Sequence, residues 1–351
     1  MTMKDVLAGA SALLLGGCAG PLSEAALIAR ADSAVTVAAR GETTPVGTAN
    51  DDAADDPAIW RNPADPAASL IVGTDKKAGL YVYGLDGRTR NFLDVGRVNN
   101  VDLRGDVEWG GRRIVLVAAS NRNDLANAAI DLFELDPTSA TLRPIGKVAA
   151  GAGEAYGLCL YRSPDALHAF MVIKDGTIRQ VRLAADGGGV VRTLKLATQS
   201  EGCAVDEVRA RLYAGEEAGG LFRFDARPDG PVEGALIAPA DGKRLVADVE
   251  GIAVAPDGKG GGFLVVSSQG DNAYAVWSLA DERFLGRFRV GAGTLGATEE
   301  TDGIDLVTGD FGPGFPGGLF VAQDGRNGPR AQNFKLVAWA DVLAALGAKG
   351  K

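Results

Sequence analysis

Apolar residues in this chain fall in short runs with polar interruptions, not in the i, i+3, i+4 spacing of helices, and the runs return at a near-constant distance. Each return opens with acidic or amide residues, often beside glycine or proline, followed by a brief apolar stretch. The six versions are Ala53-Ala54-Asp55-Asp56-Pro57-Ala58-Ile59-Trp60, Asn99-Asn100-Val101-Asp102-Leu103, Glu154–Leu160, Glu201-Gly202-Cys203-Ala204-Val205, Asp248–Val254 and Thr301–Val307. Stepping through Asp56, Asp102, Glu154, Glu201, Glu250 and Asp302 gives intervals of 46, 52, 47, 49 and 52 residues. A repeat of that length made only of strands predicts an all-β fold, a six-bladed β-propeller with four-stranded antiparallel blades around a central channel.

Two further strand-length runs follow each acidic opening. They are Ser69–Thr74 and Gly79–Gly84, Arg113–Ala119 and Ile130–Leu135, and His168–Ile173 and Ile178–Leu183 in the first three repeats. Arg211–Gly215 and Leu221–Phe224, Gly262–Ser267 and Tyr274–Leu279, and Leu319–Gln323 and Phe334–Trp339 complete the set. Glycine, aspartate or proline bounds each run, and β-branched and aromatic residues fill it. A variable outer strand would bring each blade to four. A turn or two of helix is expected over Asp341–Leu346.

Three segments are expected. Residues 1–18 read as a lipoprotein-type signal peptide: Lys4 precedes the apolar run Val6–Leu15, too short to span a bilayer, and Leu15-Gly16-Gly17-Cys18 resembles a lipobox. Residues 19–50 read as a tether, with Ala34–Ala39 as a strand that closes the ring in the last blade. Residues 51–345 form the propeller. The expected location is outside the cytoplasm, as an outer-membrane or cell-surface lipoprotein anchored at Cys18, or else periplasmic or secreted; a monomer is expected.

With a formal net charge of −9 over 351 residues, the chain lacks the basic face that nucleic-acid binding needs. One histidine and three cysteines cannot build a histidine- or thiolate-rich zinc centre. His168, in an apolar run, is expected to be structural, and Cys159 and Cys203 are expected to be buried free thiols.

Because the innermost strand of each blade lines the channel, an acidic residue opening all six would ring one mouth with carboxylates. So crowded, they would repel and raise one another's pKa values unless a cation neutralised them. Oxygen donors without histidine or thiolate suit calcium. Beside them, Lys76 and Lys77, Asn121-Arg122 and Lys174 occupy the same inter-strand loop in three neighbouring repeats, where an oxyanion could be held. The equivalent loops of repeats four and five carry Glu216-Glu217 and Ser268-Gln269-Gly270-Asp271-Asn272. One half of the rim thus offers cations and the other oxygen ligands.

Asp55-Asp56-Pro57-Ala58-Ile59-Trp60, Asn99-Asn100-Val101-Asp102, Ala119-Ser120-Asn121-Arg122, Asp248-Val249-Glu250-Gly251, Ser267-Ser268-Gln269-Gly270, Thr301-Asp302-Gly303-Ile304-Asp305, Phe320–Gly325 and Gln332-Asn333-Phe334-Lys335 resemble, in order, the motifs of the β-propeller phytases. The resemblance runs from about residue 50 to 340. It implies a calcium-dependent phosphomonoesterase acting on phytate, myo-inositol hexakisphosphate, often as its calcium complex. By this resemblance Lys76, Arg122, Tyr156 and Lys174 match phosphate-contacting positions, with Lys77 nearby; Lys76, Arg122, Tyr156 and Glu217 are the expected catalytic residues, and Lys77, Lys174 and Asn121 the expected substrate-binding ones. Asp55, Asp56, Glu201, Glu216, Glu217, Asp248, Glu250, Gln269, Asp302 and Asn333 fall at positions associated with several calcium ions. Calcium would draw charge from the phosphoryl oxygens and position the attacking water. Two other readings stand beside this one. A lactonase-type calcium propeller would leave the cationic cluster unexplained, and a non-catalytic envelope scaffold would not need opposed cationic and acidic halves.

Overall fold

The computed structural model describes residues 22–49 and 52–347; Cys18 and the expected signal segment lie outside them. Six sheets follow one another around a ring, and in the first five the strands run outward in chain order. Their innermost strands are Ala54–Trp60, Val98–Trp109, Ala155–Arg162, Ser200–Asp206 and Val249–Pro256, and Ile304–Thr308 takes that place in the sixth. The predicted second and third strands are all present within a few residues of their expected limits, and Trp339–Ala345 is helical.

The apolar core lies between blades. Leu116 and Ile130 of blade two interlock with Leu158, Met171 and Val181 of blade three, and comparable clusters fill the other seams. This arrangement leaves the polar residues of the innermost strands to the channel.

The segment ahead of residue 50 does more than tether. The strand expected over Ala34–Ala39 forms at Val35–Ala38, but it pairs in parallel with Phe284–Gly291 as a fifth strand of blade five. The ring is closed instead by Gly41–Glu42, antiparallel to Lys335 and Leu336, which supplies the fourth strand of blade six. Closure falls there because Asn333–Ala338, the last long strand, has a free edge that only a neighbouring segment can satisfy. A short helix, Glu24–Arg30, capped by Ser23, rests against Gln269–Asp271 at the top of blade five.

His168 is buried and lies 6.0 Å from the Tyr161 ring, as expected of a structural histidine. The free-thiol expectation for Cys159 and Cys203 fails: the two form a disulfide. They sit on innermost strands of adjacent blades with Cα atoms 5.7 Å apart, within bonding reach although 44 residues separate them in sequence.

Candidate active site

Strand register defines the mouth of the channel. Ala54, Val98, Ala155, Ser200 and Val249 each pair with the end of the second strand, and a bulge follows before pairing resumes at Pro57, Val101, Leu158, Cys203 and Ile252. The first bulged residue is therefore Asp55, Asn99, Tyr156, Glu201 or Glu250, and the sequence places Asp302 at the same position in blade six. The expected ring of six carboxylates is thus corrected to four carboxylates, one amide and one phenol. Asp102 lies three residues deeper, level with Asp305, and Glu154 precedes its strand. Asp56 is the second bulged residue.

Glycine follows the ring residue in four of the six blades, and the reason is steric. A Cβ at Gly157 would fall 1.8 Å from the Glu201 carbonyl oxygen, one at Gly202 2.2 Å from that of Glu250, and one at Gly251 2.6 Å from that of Asp302. In blades three to five the bulge is thus pressed against the ring residue of the next blade, which crowds these side chains at the mouth.

Lys76 sits among the carboxylates, its Nζ 2.8 Å from Asp52, 3.1 Å from Asp55 and 2.9 Å from Asp302. Gln269 donates to the other Asp302 oxygen at 2.7 Å, and Asn99 donates to Glu201 at 2.7 Å. Arg122 donates to Asn99 and pairs with Glu154, and its guanidinium lies 5.3 Å from the Tyr156 ring centroid. Lys174 approaches the same ring, at 5.1 Å. One aromatic ring therefore spaces two cations from different blades.

On the acidic side, oxygens of Glu201, Glu217 and Glu250 lie within 4.8 Å of one another. Burial, reinforced by neighbouring carboxylates, pushes the Glu201 and Glu250 carboxyls well up. Asp55 is raised by burial despite Lys76, and Asp302, for the same reason, is pushed up to about 7. Asp248 adds charge beside Glu217 and Glu250. Both carboxylate oxygens of Asp55, Glu217 Oε1 and Glu250 Oε2 are buried without a hydrogen-bond partner; the Lys76 contact to Asp55 is an ion pair outside hydrogen-bonding geometry. Orphaned buried anionic oxygens facing one space are what a hard cation requires, so the residues fit calcium.

Several expected site residues turn elsewhere. Glu216 accepts from the Thr198 amide and hydroxyl at 2.6 and 2.8 Å, leaving Glu217 as the one that reaches the carboxylate group. Asn121 donates to Asp131 at 2.6 Å, within its own sheet. Asn333 donates to Glu42 and the Thr43 carbonyl and accepts from buried Lys335, a cage that holds the closing strand. Asp56 accepts from the Val101 amide at 3.0 Å and faces the channel. Lys77 is exposed at its turn. The sequence reading missed Asp52 and Glu154 as partners of the cations and gave Asn99 no role; aligning the repeats on the residue two before Pro57, Val101, Leu158, Cys203, Ile252 and Ile304 would have found Asn99.

A six-bladed propeller whose mouth sets carboxylates with orphaned oxygens against three cations defines a class of metal-assisted, oxyanion-binding protein. The chain belongs to the phytase family, whose model matches residues 3–351. It is 38% identical to the 3-phytase of Bacillus subtilis (strain 168) over 330 residues, 89% of this chain and 85% of that one. A chain of the crystal structure of the mitotic checkpoint complex superposes with a TM-score of 0.49 and 14% identity, over 91% of this chain and 82% of that one, too loosely to bear on function.

Proposed function

We infer that this protein is a phytase, a phosphoric monoester hydrolase that releases phosphate from myo-inositol hexakisphosphate as 3-phytases do, and that it depends on calcium. The observation that carries the reading is the juxtaposition, at one mouth, of Arg122, Lys174 and Lys76 with Asp55, Glu201, Glu217, Glu250 and Asp302. A substrate bearing six phosphates offers one group to the reaction and another to the cations beside it.

Asp55, Glu201, Glu217, Glu250 and Asp302 would hold calcium, with Gln269 and Asp248 beside them. Bound there, calcium would supply Lewis-acid withdrawal of charge from phosphoryl oxygens and activation of water. The chain's own groups do the rest. Arg122 presents a planar fork to two phosphate oxygens, and Lys76 and Lys174 act as point charges on developing negative charge. Tyr156 stands beside both Arg122 and Lys174, while its hydroxyl, whose pKa burial and the carboxylates raise, stays protonated as a donor.

The deciding experiment is phosphate release from phytate with calcium, with EGTA, and after calcium is restored. Release that EGTA abolishes and calcium restores is expected. Release unaffected by EGTA would overturn the calcium requirement, and no release under any condition would overturn the phytase reading. We further propose export and lipid anchoring at Cys18, from the lipobox-like setting; fractionation of cells carrying Cys18→Ser beside the native chain tests it, and a native chain found wholly soluble would refute it.

A further inference from the structure

Three of the seams between innermost strands are fastened by a carboxylate. Asp305 of blade six accepts from the Ile59 amide of blade one at 2.7 Å. Asp56 of blade one accepts from Val101 of blade two at 3.0 Å, and Asp102 of blade two accepts from Leu160 of blade three at 2.8 Å. In the seam between blades three and four, the position of Asp102 and Asp305 is held by Cys159, which is bonded to Cys203. A covalent link thus stands where two other seams use a charge-assisted hydrogen bond.

This seam carries the site. Cys159 follows Tyr156 by three residues and Cys203 follows Glu201 by two. Gly157, between them, makes the closest approach of its kind in the ring, with the Glu201 carbonyl where its Cβ would be. On its other side the Tyr156 carbonyl accepts from Ser120 at 2.8 Å, so Tyr156 is tied to both neighbouring blades. Its ring in turn spaces Arg122 from Lys174, while Glu201 belongs to the carboxylate group. The bond is also buried beside the channel cavity of about 80 Å³, shielded from exchange in the folded chain.

We propose that Cys159 and Cys203 are positioning residues: their disulfide fixes Tyr156 and its two cations against Glu201 and the acidic half of the mouth. The proposal rests on the phytase reading, since the two halves must meet one substrate. Loss of the link lets the halves shift, which lowers turnover more than it lowers folding.

The test compares the native chain, Cys159→Ala/Cys203→Ala and Cys159→Asp/Cys203→Ala. Mass measurement after thiol alkylation in denaturant, before and after reduction, establishes the bond. Melting temperature, kcat and KM on phytate with saturating calcium are then measured at a temperature well below every melt. The alanine pair is expected to lose about tenfold or more in kcat while still folded, within the range that ångström-scale misplacement costs. Aspartate at 159 recreates the carboxylate fastener of the neighbouring seams and should restore most of that kcat without restoring the bond. Native kcat in the alanine pair, or no recovery with aspartate, overturns the proposal. Inactivity of the native chain itself would instead count against the phytase reading.

Discussion

The guanidinium of Arg122, on the loop of blade two, lies 5.3 Å from the centre of the Tyr156 ring on the innermost strand of blade three. The contact joins a cation to an aromatic 34 residues further along the chain, and the same ring meets Lys174. The position of each cation at the rim thus depends on a residue of the channel wall.

Arg122→Lys should keep the charge and lose the planar fork, lowering kcat/KM on phytate by roughly 30- to 1000-fold, the cost of about 2–4 kcal/mol of transition-state stabilisation. Arg122→Ala should be at least as damaging. Both should melt near the native temperature, because a partly exposed rim cation is not core. Near-native kcat/KM in both variants would remove the cations from the mechanism.

Glu216 and Glu217, adjacent in sequence, should behave differently. Glu217→Gln removes a charge from the Glu201–Glu250 group and should weaken calcium binding, measured by titration calorimetry, and activity with it. Glu216→Gln weakens the acceptor for Thr198 and should lower the melting temperature by the equivalent of about 1–2 kcal/mol while sparing kcat at saturating calcium. The reverse pattern would mean that Glu216 is the ligand.

Lys335 is fully buried between Glu42, at 2.6 Å, and Asp324, at 3.1 Å, and it also donates to Asn333. Lys335→Met leaves those carboxylates without their cation and should cost about 3–5 kcal/mol of stability, because a buried charge is stranded. Urea unfolding should show it. A variant as stable as the native chain would mean that the closing strand Gly41–Glu42 does not depend on this cage.

Calcium removal should destabilise the protein, and the effect should grow with pH. Burial pushes the Asp302 and Asp305 carboxyls up to about 7, against an ordinary 3.8. The metal-free folded state therefore holds protons that the unfolded chain has released, and its stability falls as pH rises from about 4 to 7. In EGTA the melting temperature should be higher at pH 5 than at pH 8, and added calcium should raise it most at pH 8. An EGTA melt that is flat or rising across that range would contradict this account.

The sequence alone determined the repeat, the six blades, every second and third strand to within a few residues, and which loops carry cation or carboxylate. These follow from local pattern: apolar alternation between glycine or aspartate turns specifies strands wherever they pack. Which acidic residues share a level was decided only by tertiary structure, since a bulge in the innermost strands of blades one to five shifts the register. It put Tyr156 and Asn99 in the ring and moved Asp102 deeper. The choice of Glu217 over Glu216 depended on the Thr198 amide, and the turning away of Asn333 depended on Lys335 and Glu42 from the opposite end of the chain. The disulfide was equally hidden, because Cys159 and Cys203 meet only when two blades stand side by side. Strand formation is written in neighbours along the chain; the site is made where strands of different blades press together at one mouth.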